Sequence, residues 1–313
     1  MGERFTRDRE RRTRQLRAPE DRKTRDLRLP DFIAVGPPRT GTTWLDRVLR
    51  DHVALPGEVK ETQFFLWNYR LGVDWYRQFF RDCDTDLVMG EIAPTYFDQS
   101  VARERIAEVI PDCKIVCTLR DPVARAYSHY KTWHRAGLIS GPFDFQKQYR
   151  RLGANGSYAH NLSAWRKYFG VENVLVLLYD DLVIDRRSYL EKLCDFIDIA
   201  PIDLQDTRWE HEKAAEALEL PRNLTLARVG GRLRTYLTRR QSLRLAHHFE
   251  SGKPLWRLLF AGGPRYPRLD PETEASLRRR FIPEIEELER LLGRDLSAWK
   301  TIDERQEHRL ATN

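Results

Sequence analysis

The stretch Gly36-Pro37-Pro38-Arg39-Thr40-Gly41-Thr42-Thr43 sets two glycines five residues apart, the spacing of a loop that wraps backbone N–H groups around a phosphate. In triphosphate-hydrolysing enzymes a lysine follows the second glycine and reaches the β and γ phosphates, and the next hydroxyl holds magnesium. Here Thr42 and Thr43 follow Gly41, and the nearby cation is Arg39, inside the loop. These residues suit a phosphate held by backbone donors and an arginine fork, and suit a magnesium-bound triphosphate poorly. By itself the stretch also reads as an ordinary helix start after a proline-rich turn.

A second group lies in "TLRDPVARAYSHYKTW" (118 to 133). Arg120 ends an apolar run, and Ser128 falls two helical turns beyond it. A strand end and the helix after it can bring a guanidinium and a hydroxyl to one phosphate. Taken alone, an exposed Arg-Asp pair opening a helix is the plainer account.

The two groups together carry a resemblance. "PPRTGTTW" (37 to 44) resembles the 5′-phosphosulfate loop of sulfotransferases that use 3′-phosphoadenosine 5′-phosphosulfate (PAPS), and "LRDPVARAYSHY" (119 to 130) resembles their 3′-phosphate motif. "KETQFF" (60 to 65) and "GEIAPTYF" (90 to 97) are similar to stretches of the heparan-sulfate-type branch. The segment "GGPRYPRLDPETEASLRRRFIPEIEELERLLGRDLSAW" (262 to 299) resembles that branch's cofactor-covering loop and closing helix. The likeness spans roughly residues 31 to 300, with the motifs in family order.

The resemblance implies that Pro38, Arg39, Thr40, Gly41, Thr42 and Thr43 hold the 5′ end of PAPS. Arg120 and Ser128 would hold its 3′-phosphate, and Arg265 would reach it from the C-terminal loop. Arg39 stands where many relatives have lysine, beside the bridging oxygen on which charge collects during transfer. Glu61 matches the glutamate thought to act as general base, with His129 and His134 as fallbacks. PAPS is the implied cosubstrate and PAP (3′-phosphoadenosine 5′-phosphate) the product, with no metal required. The chain departs from the pattern at Ile92, where a lysine is usual, at Gln63, where the branch has histidine, and at Gly262 and Pro264, where basic residues are common.

The elements that must position these groups are legible in the texture of the chain. "FIAVG" (32 to 36) is a short buried strand, and residues 42 to 52 have helical spacing at Trp44, Leu45, Val48 and Leu49. Further strands are expected at 87–91, 114–120 and 173–179, and helices at about 98–110, 122–134, 157–169 and 187–198. This alternation predicts an α/β fold: a P-loop-like central parallel sheet of about five strands with helices on both faces, the sulfotransferase fold. One domain over 30–313 follows, with a variable helical insert or lid at about 200–262. Residues 1–29 interleave arginine with acids and carry few large apolar side chains, so they predict a mobile charged arm.

Composition bounds the partners. The 313 residues are 41% hydrophobic and 32% charged with a formal net charge of +7, which suits an anionic ligand. The sequence has no run of 18 uncharged apolar residues and no apolar leader at its start, so a soluble, cytoplasmic protein is expected. Cys83, Cys113, Cys117 and Cys194 lack metal-ligand spacing and predict reduced thiols.

The expected acceptor is a hydroxyl, less often an amine, of a small amphiphilic, aromatic or glycosylated molecule rather than of a densely anionic polysaccharide. The aromatics at 64–80 would either stack on it or pack in the core. Arginines interleaved with large apolar residues at 222–260 allow peripheral membrane contact. Oligomeric state is not legible. Two other classes share single features. A P-loop kinase shares the loop and sheet but would need the absent lysine. A basic nucleic-acid-binding protein fits the charge but leaves five ordered motifs unexplained, so no nucleic-acid partner is expected.

Overall fold

The computed structural model describes residues 28–203 and 263–301 except 58, 85 and 153, together with positions 220, 225 and 229. The arm expected at 1–29 and the insert expected at about 200–262 lie almost wholly outside the described residues.

Strand β1 (Phe32–Gly36) is buried along its whole length, as a strand covered on both faces must be. It pairs in parallel with β2 (Gly90–Ile92) on one side and β3 (Lys114–Leu119) on the other, and β3 pairs in parallel with β4 (Val174–Leu178). The order is β2-β1-β3-β4, four strands among the described residues where about five were expected. The expected strand at 87–91 survives only as short β2, with Met89 joined to Ala54 by an isolated bridge. Gly90 lies beneath the Phe32 ring, where an added Cβ would come within 2.2 Å of ring carbons. Close backbone approach at this position requires glycine.

The helices fall close to where periodicity put them. Helix α1 (Thr42–Leu49) buries Trp44, Leu45, Val48 and Leu49. With Tyr189, Leu190, Leu193 and Ile197 of α8 (Arg186–Ile197), these residues cover Phe32, Ala34, Val116 and Leu177 on one face of the sheet. Ile33, Val35, Ile115 and Cys117 point the other way. They meet α3 (Ser100–Val109), α4 (Pro122–Arg135), α6 (Tyr158–Phe169) and the long α9 (Pro271–Leu292). Each fully buried large side chain contributes about 1.5 to 3 kcal/mol, so the alternation within β1 holds both helical layers to one sheet. Shorter helices are α2 (Val73–Arg77), α5 (Phe145–Leu152), α7 (Tyr179–Ile184) and α10 (Ser297–Lys300).

The strand order fixes the place of the site. The chain moves from β1 to β2 on one side and then crosses to β3 on the other, so the segments leaving the C-terminal ends of β1 and β3 diverge and open a crevice. The Gly36–Thr43 loop leaves β1 there, and Arg120 follows β3.

Candidate active site

Gly36 and Gly41 bracket the loop with φ of 80° and 93°, in the left-handed region that favours glycine. A Cβ on Gly36 would come within 2.5 Å of Pro94 Cβ, so the loop leaves β1 pressed against the segment after β2. Thr40 is fully buried. Its hydroxyl donates to Pro37 O at 2.6 Å and meets Thr118 Oγ1 of β3, also at 2.6 Å. With two neighbours and one proton of its own, the Thr40 hydroxyl accepts from Thr118. This threonine pins the loop from inside rather than lining the crevice. Helix α1 starts at Thr42 with no side-chain cap, so its first N–H groups and the positive end of its dipole serve the crevice.

A second wall comes from β3 and α4. Asp121 caps α4 by accepting from Val123 N at 2.8 Å and Ala124 N at 3.1 Å, and Pro122 supplies the first helical turn. The other Asp121 oxygen accepts from Arg278 of α9 at 3.0 Å, in a pair only 14% and 15% exposed. Arg120, just before this cap, stacks its guanidinium 4.4 Å from the centre of the Tyr179 ring. Ser128 follows two turns into α4, and Arg39 Nε donates to its Oγ at 3.0 Å. Arg39 itself has a φ of 75°, a conformation that costs a non-glycine residue energy and turns its side chain toward α4.

The third wall is the segment before the π-turn Phe64–Asn68. Its alternation separates two jobs. Thr62 points inward, giving both its backbone N–H (2.8 Å) and its hydroxyl (2.7 Å) to Glu91, a fully buried carboxylate on β2. Tyr76 donates to the other Glu91 oxygen at 2.8 Å. Burial pushes the Glu91 pKa up, and these donors oppose it. Glu61 and Gln63 flank Thr62, with Glu61 facing the crevice.

These walls enclose a cavity of about 1210 Å³. Arg39, Arg47, Lys60, Arg120, Lys131 and Arg268 line it, against Glu61, Asp270 and Glu274. The surplus of cations and the uncapped helix start suit a large anion. Its roof is the segment Tyr266–Pro271, held to α4 by Tyr127 OH donating to Pro267 O at 2.7 Å and by a 2.8 Å contact between Tyr266 OH and His134 Nδ1.

Of the residues singled out from sequence, Pro38, Arg39, Gly41, Thr42, Thr43, Glu61, Arg120 and Ser128 all line the cavity. Thr40 lies just beneath it. Arg265 is exposed and is not part of the wall, whereas Arg268 is. His129 and His134 are buried on α4 and do not line the cavity. Burial, with Arg125 and Arg39 nearby, pushes the His129 pKa down to about 3. Ile92 packs in the core with Phe32, Ala34 and Trp44, so that position presents its side chain to α1 rather than to the cavity. The aromatics of 64–80 are largely core: Phe64, Phe65, Tyr76 and Phe80 are 0 to 1% exposed.

Residues that sequence reasoning passed over are Arg47, Lys60, Lys131, Tyr179 and Arg268. Helical spacing could have found two of them. Arg47 lies four residues after Thr43, and Lys131 lies three after Ser128, each on the face of its helix that carries the motif residue.

A family model described as sulfotransferase domain matches residues 29–249. The human bifunctional heparan sulfate N-deacetylase/N-sulfotransferase 2 is 30% identical over 234 residues, covering 66% of this chain and 26% of that protein. Isozyme 3 from mouse is 27% identical over 328 residues, covering 90% of this chain and 33% of that protein. The chain thus spans about a quarter to a third of the length of these curated relatives. Among solved structures, a sulfotransferase from Alicyclobacillus acidocaldarius superposes with a TM-score of 0.63 at 22% identity, covering 88% of this chain and all of that one. That likeness establishes the shared fold.

Proposed function

The chain belongs to the sulfotransferase domain family, and from that membership we propose that it moves a sulfonate group from PAPS to a hydroxyl or amine acceptor, releasing PAP. The observation that carries this reading is the convergence of the Pro38–Thr43 loop, Arg120, Ser128 and Glu61 on one cavity. The residues fit the nucleotide. Gly41 lines the cavity with no room for a side chain, since a Cβ would press on Leu182 and Tyr179 of α7 at 3.2 and 3.3 Å, and the wall supplies guanidinium and hydroxyl donors.

When bound, PAPS supplies an activated sulfonate whose leaving group is a phosphate oxygen. The loop N–H groups, Thr42 and Thr43 hold the 5′ side, while Arg120 and Ser128 hold the 3′-phosphate. Arg39 reaches from the loop to Ser128, so it would stand between the residues that hold the two ends. A cation fixed there stabilises charge that grows as the sulfonate departs. Glu61 takes the acceptor's proton. Lys60, whose ammonium is 3.5 Å from Thr43 Oγ1, provides the second cation that Ile92 does not.

The acceptor side favours the glycosylated class among those expected. Lys60 adjoins Glu61 and Arg47 lines the same wall, while none of the aromatics at 64–80 lines the cavity. The heparan sulfate relatives agree with a polar sugar carrying an amine or hydroxyl.

Labelled sulfonate transfer tests this. The purified chain with PAPS should label oligosaccharides of heparosan type in a panel that also holds phenols and hydroxylated lipids. Binding of ATP in preference to PAP, with magnesium-dependent phosphate transfer, would overturn it.

A further inference from the structure

Gln63 occupies a costly conformation. Its φ is 55°, in the left-handed region where a residue with a Cβ is disfavoured, and it is 7% exposed. The backbone carbonyl of this residue receives the N–H groups of Leu66, Trp67 and Asn68 at 3.3, 3.0 and 3.3 Å, opening the π-turn. The side chain turns back two residues, and its Nε2 donates to Glu61 Oε2 at 2.8 Å. A carboxylate only accepts, so the amide must face it with its NH₂ and present Oε1 elsewhere. Oε1 meets Thr95 Oγ1 at 3.1 Å, and the same hydroxyl lies 3.2 Å from Glu61 Oε2. Thr95 belongs to the turn Pro94–Tyr96 that follows β2.

Two elements therefore reach one oxygen of one carboxylate. The segment is also anchored from below, because Thr62 between Glu61 and Gln63 gives both its donors to buried Glu91.

We infer that Gln63 and Thr95 are positioning residues for Glu61, holding its Oε2 in place: Gln63 donates an amide N–H to it, and Thr95 shares its one hydroxyl proton between Glu61 Oε2 and Gln63 Oε1. This rests on the reading of Glu61 as the general base. Neither donor titrates in the working range of the enzyme, so the two donors themselves add no ionisation beside the base. The sequence feature behind it is the glutamine that stands where the resembling branch has histidine, a residue that would add an ionisation of its own beside the carboxylate.

The test reads the carboxylate directly. Full-length protein labelled with ¹³C-glutamate is titrated by NMR, with the Glu61 resonance assigned by its absence in Glu61→Gln. Donors to an ionised carboxylate favour that form, so Gln63→Leu should move the Glu61 titration upward by about one pH unit. Thr95→Val should move it less and in the same direction, and Gln63→His should make the Glu61 signal report a second ionisation. PAP affinity should stay within about twofold in each variant, since none of these side chains belongs to the nucleotide contacts. A titration unmoved in both Gln63→Leu and Thr95→Val overturns the inference. If Gln63→Leu fails to fold, Thr95→Val decides alone. Wild-type sulfonate transfer by Glu61→Gln would instead overturn the reading beneath it, through a separate measurement.

Discussion

Arg39 Nε and Ser128 Oγ are 3.0 Å apart across 89 residues of sequence, so the loop after β1 and helix α4 share a hydrogen bond inside the cavity wall. Because the serine oxygen accepts from Arg39, its own proton remains to be donated, and the pair can act on an anion as one unit. Residues that share a bond are not additive. In a double-mutant cycle of Arg39→Ala and Ser128→Ala, PAP affinity measured by calorimetry should show a coupling energy of about 0.5 to 3 kcal/mol. Strictly additive losses would mean that the two groups serve the nucleotide independently.

In the proposed reading Arg120 holds the 3′-phosphate together with Ser128. Its loss should weaken PAP binding roughly 10- to 150-fold, the equivalent of about 1.5 to 3 kcal/mol for a charge-assisted pair. The affinity for 5′-AMP, which lacks the 3′-phosphate, should barely change. Equal losses for both nucleotides would place Arg120 on a different part of the ligand.

Glu61 separates chemistry from binding. Glu61→Gln should leave PAP affinity near wild type while turnover falls by about 10² to 10⁴. His129 is a poor substitute base, since it is buried, lies outside the cavity wall and stacks edge-on against Trp133 at 4.4 Å.

His129 should instead govern acid stability. Its pKa is lowered from 6.5 to about 3 by burial first, and by Arg125 and Arg39 next. The native state keeps the ring neutral, whereas the unfolded chain takes up a proton near pH 6.5. The stabilisation is therefore complete above about pH 6.5 and is lost as pH falls toward 3, with a slope approaching about 1.4 kcal/mol per pH unit. Urea unfolding of wild type and His129→Phe between pH 7.5 and 4.5 checks this. Parallel pH dependences would exclude His129 as the cause.

Gly36→Ala tests the loop's exit from β1. The added Cβ would fall 2.5 Å from Pro94 Cβ and 2.7 Å from its Cα, at a φ of 80°. Backbone cannot swing aside as a flexible side chain can, so the variant should lose about 2 kcal/mol or more in urea unfolding. A melting temperature equal to wild type would contradict the contact.

The sequence alone determined the local elements, because they depend on neighbours along the chain. Phe32–Gly36 reads as a buried strand from its apolar run, Asp121-Pro122 as a helix start, and Gly36 and Gly41 as loop hinges from their spacing. Those signals located Arg39, Arg120, Ser128 and Glu61 within the wall. Only the tertiary structure decided which side chains face the cavity. Ile92 reads as a missing cation in the motif, yet the pleat of β2 turns it toward Trp44. Arg265 matches a basic position by resemblance, yet Arg268, three residues nearer α9, is the one in the wall. The aromatic run of 64–80 reads equally as platform or core until the sheet and α3 close over it. The orientation of Glu61 by Gln63 and Thr95 depends on a left-handed turn and on a contact 34 residues away in the chain. Neither periodicity nor composition encodes such a contact, because it forms only when β2 docks beside β1.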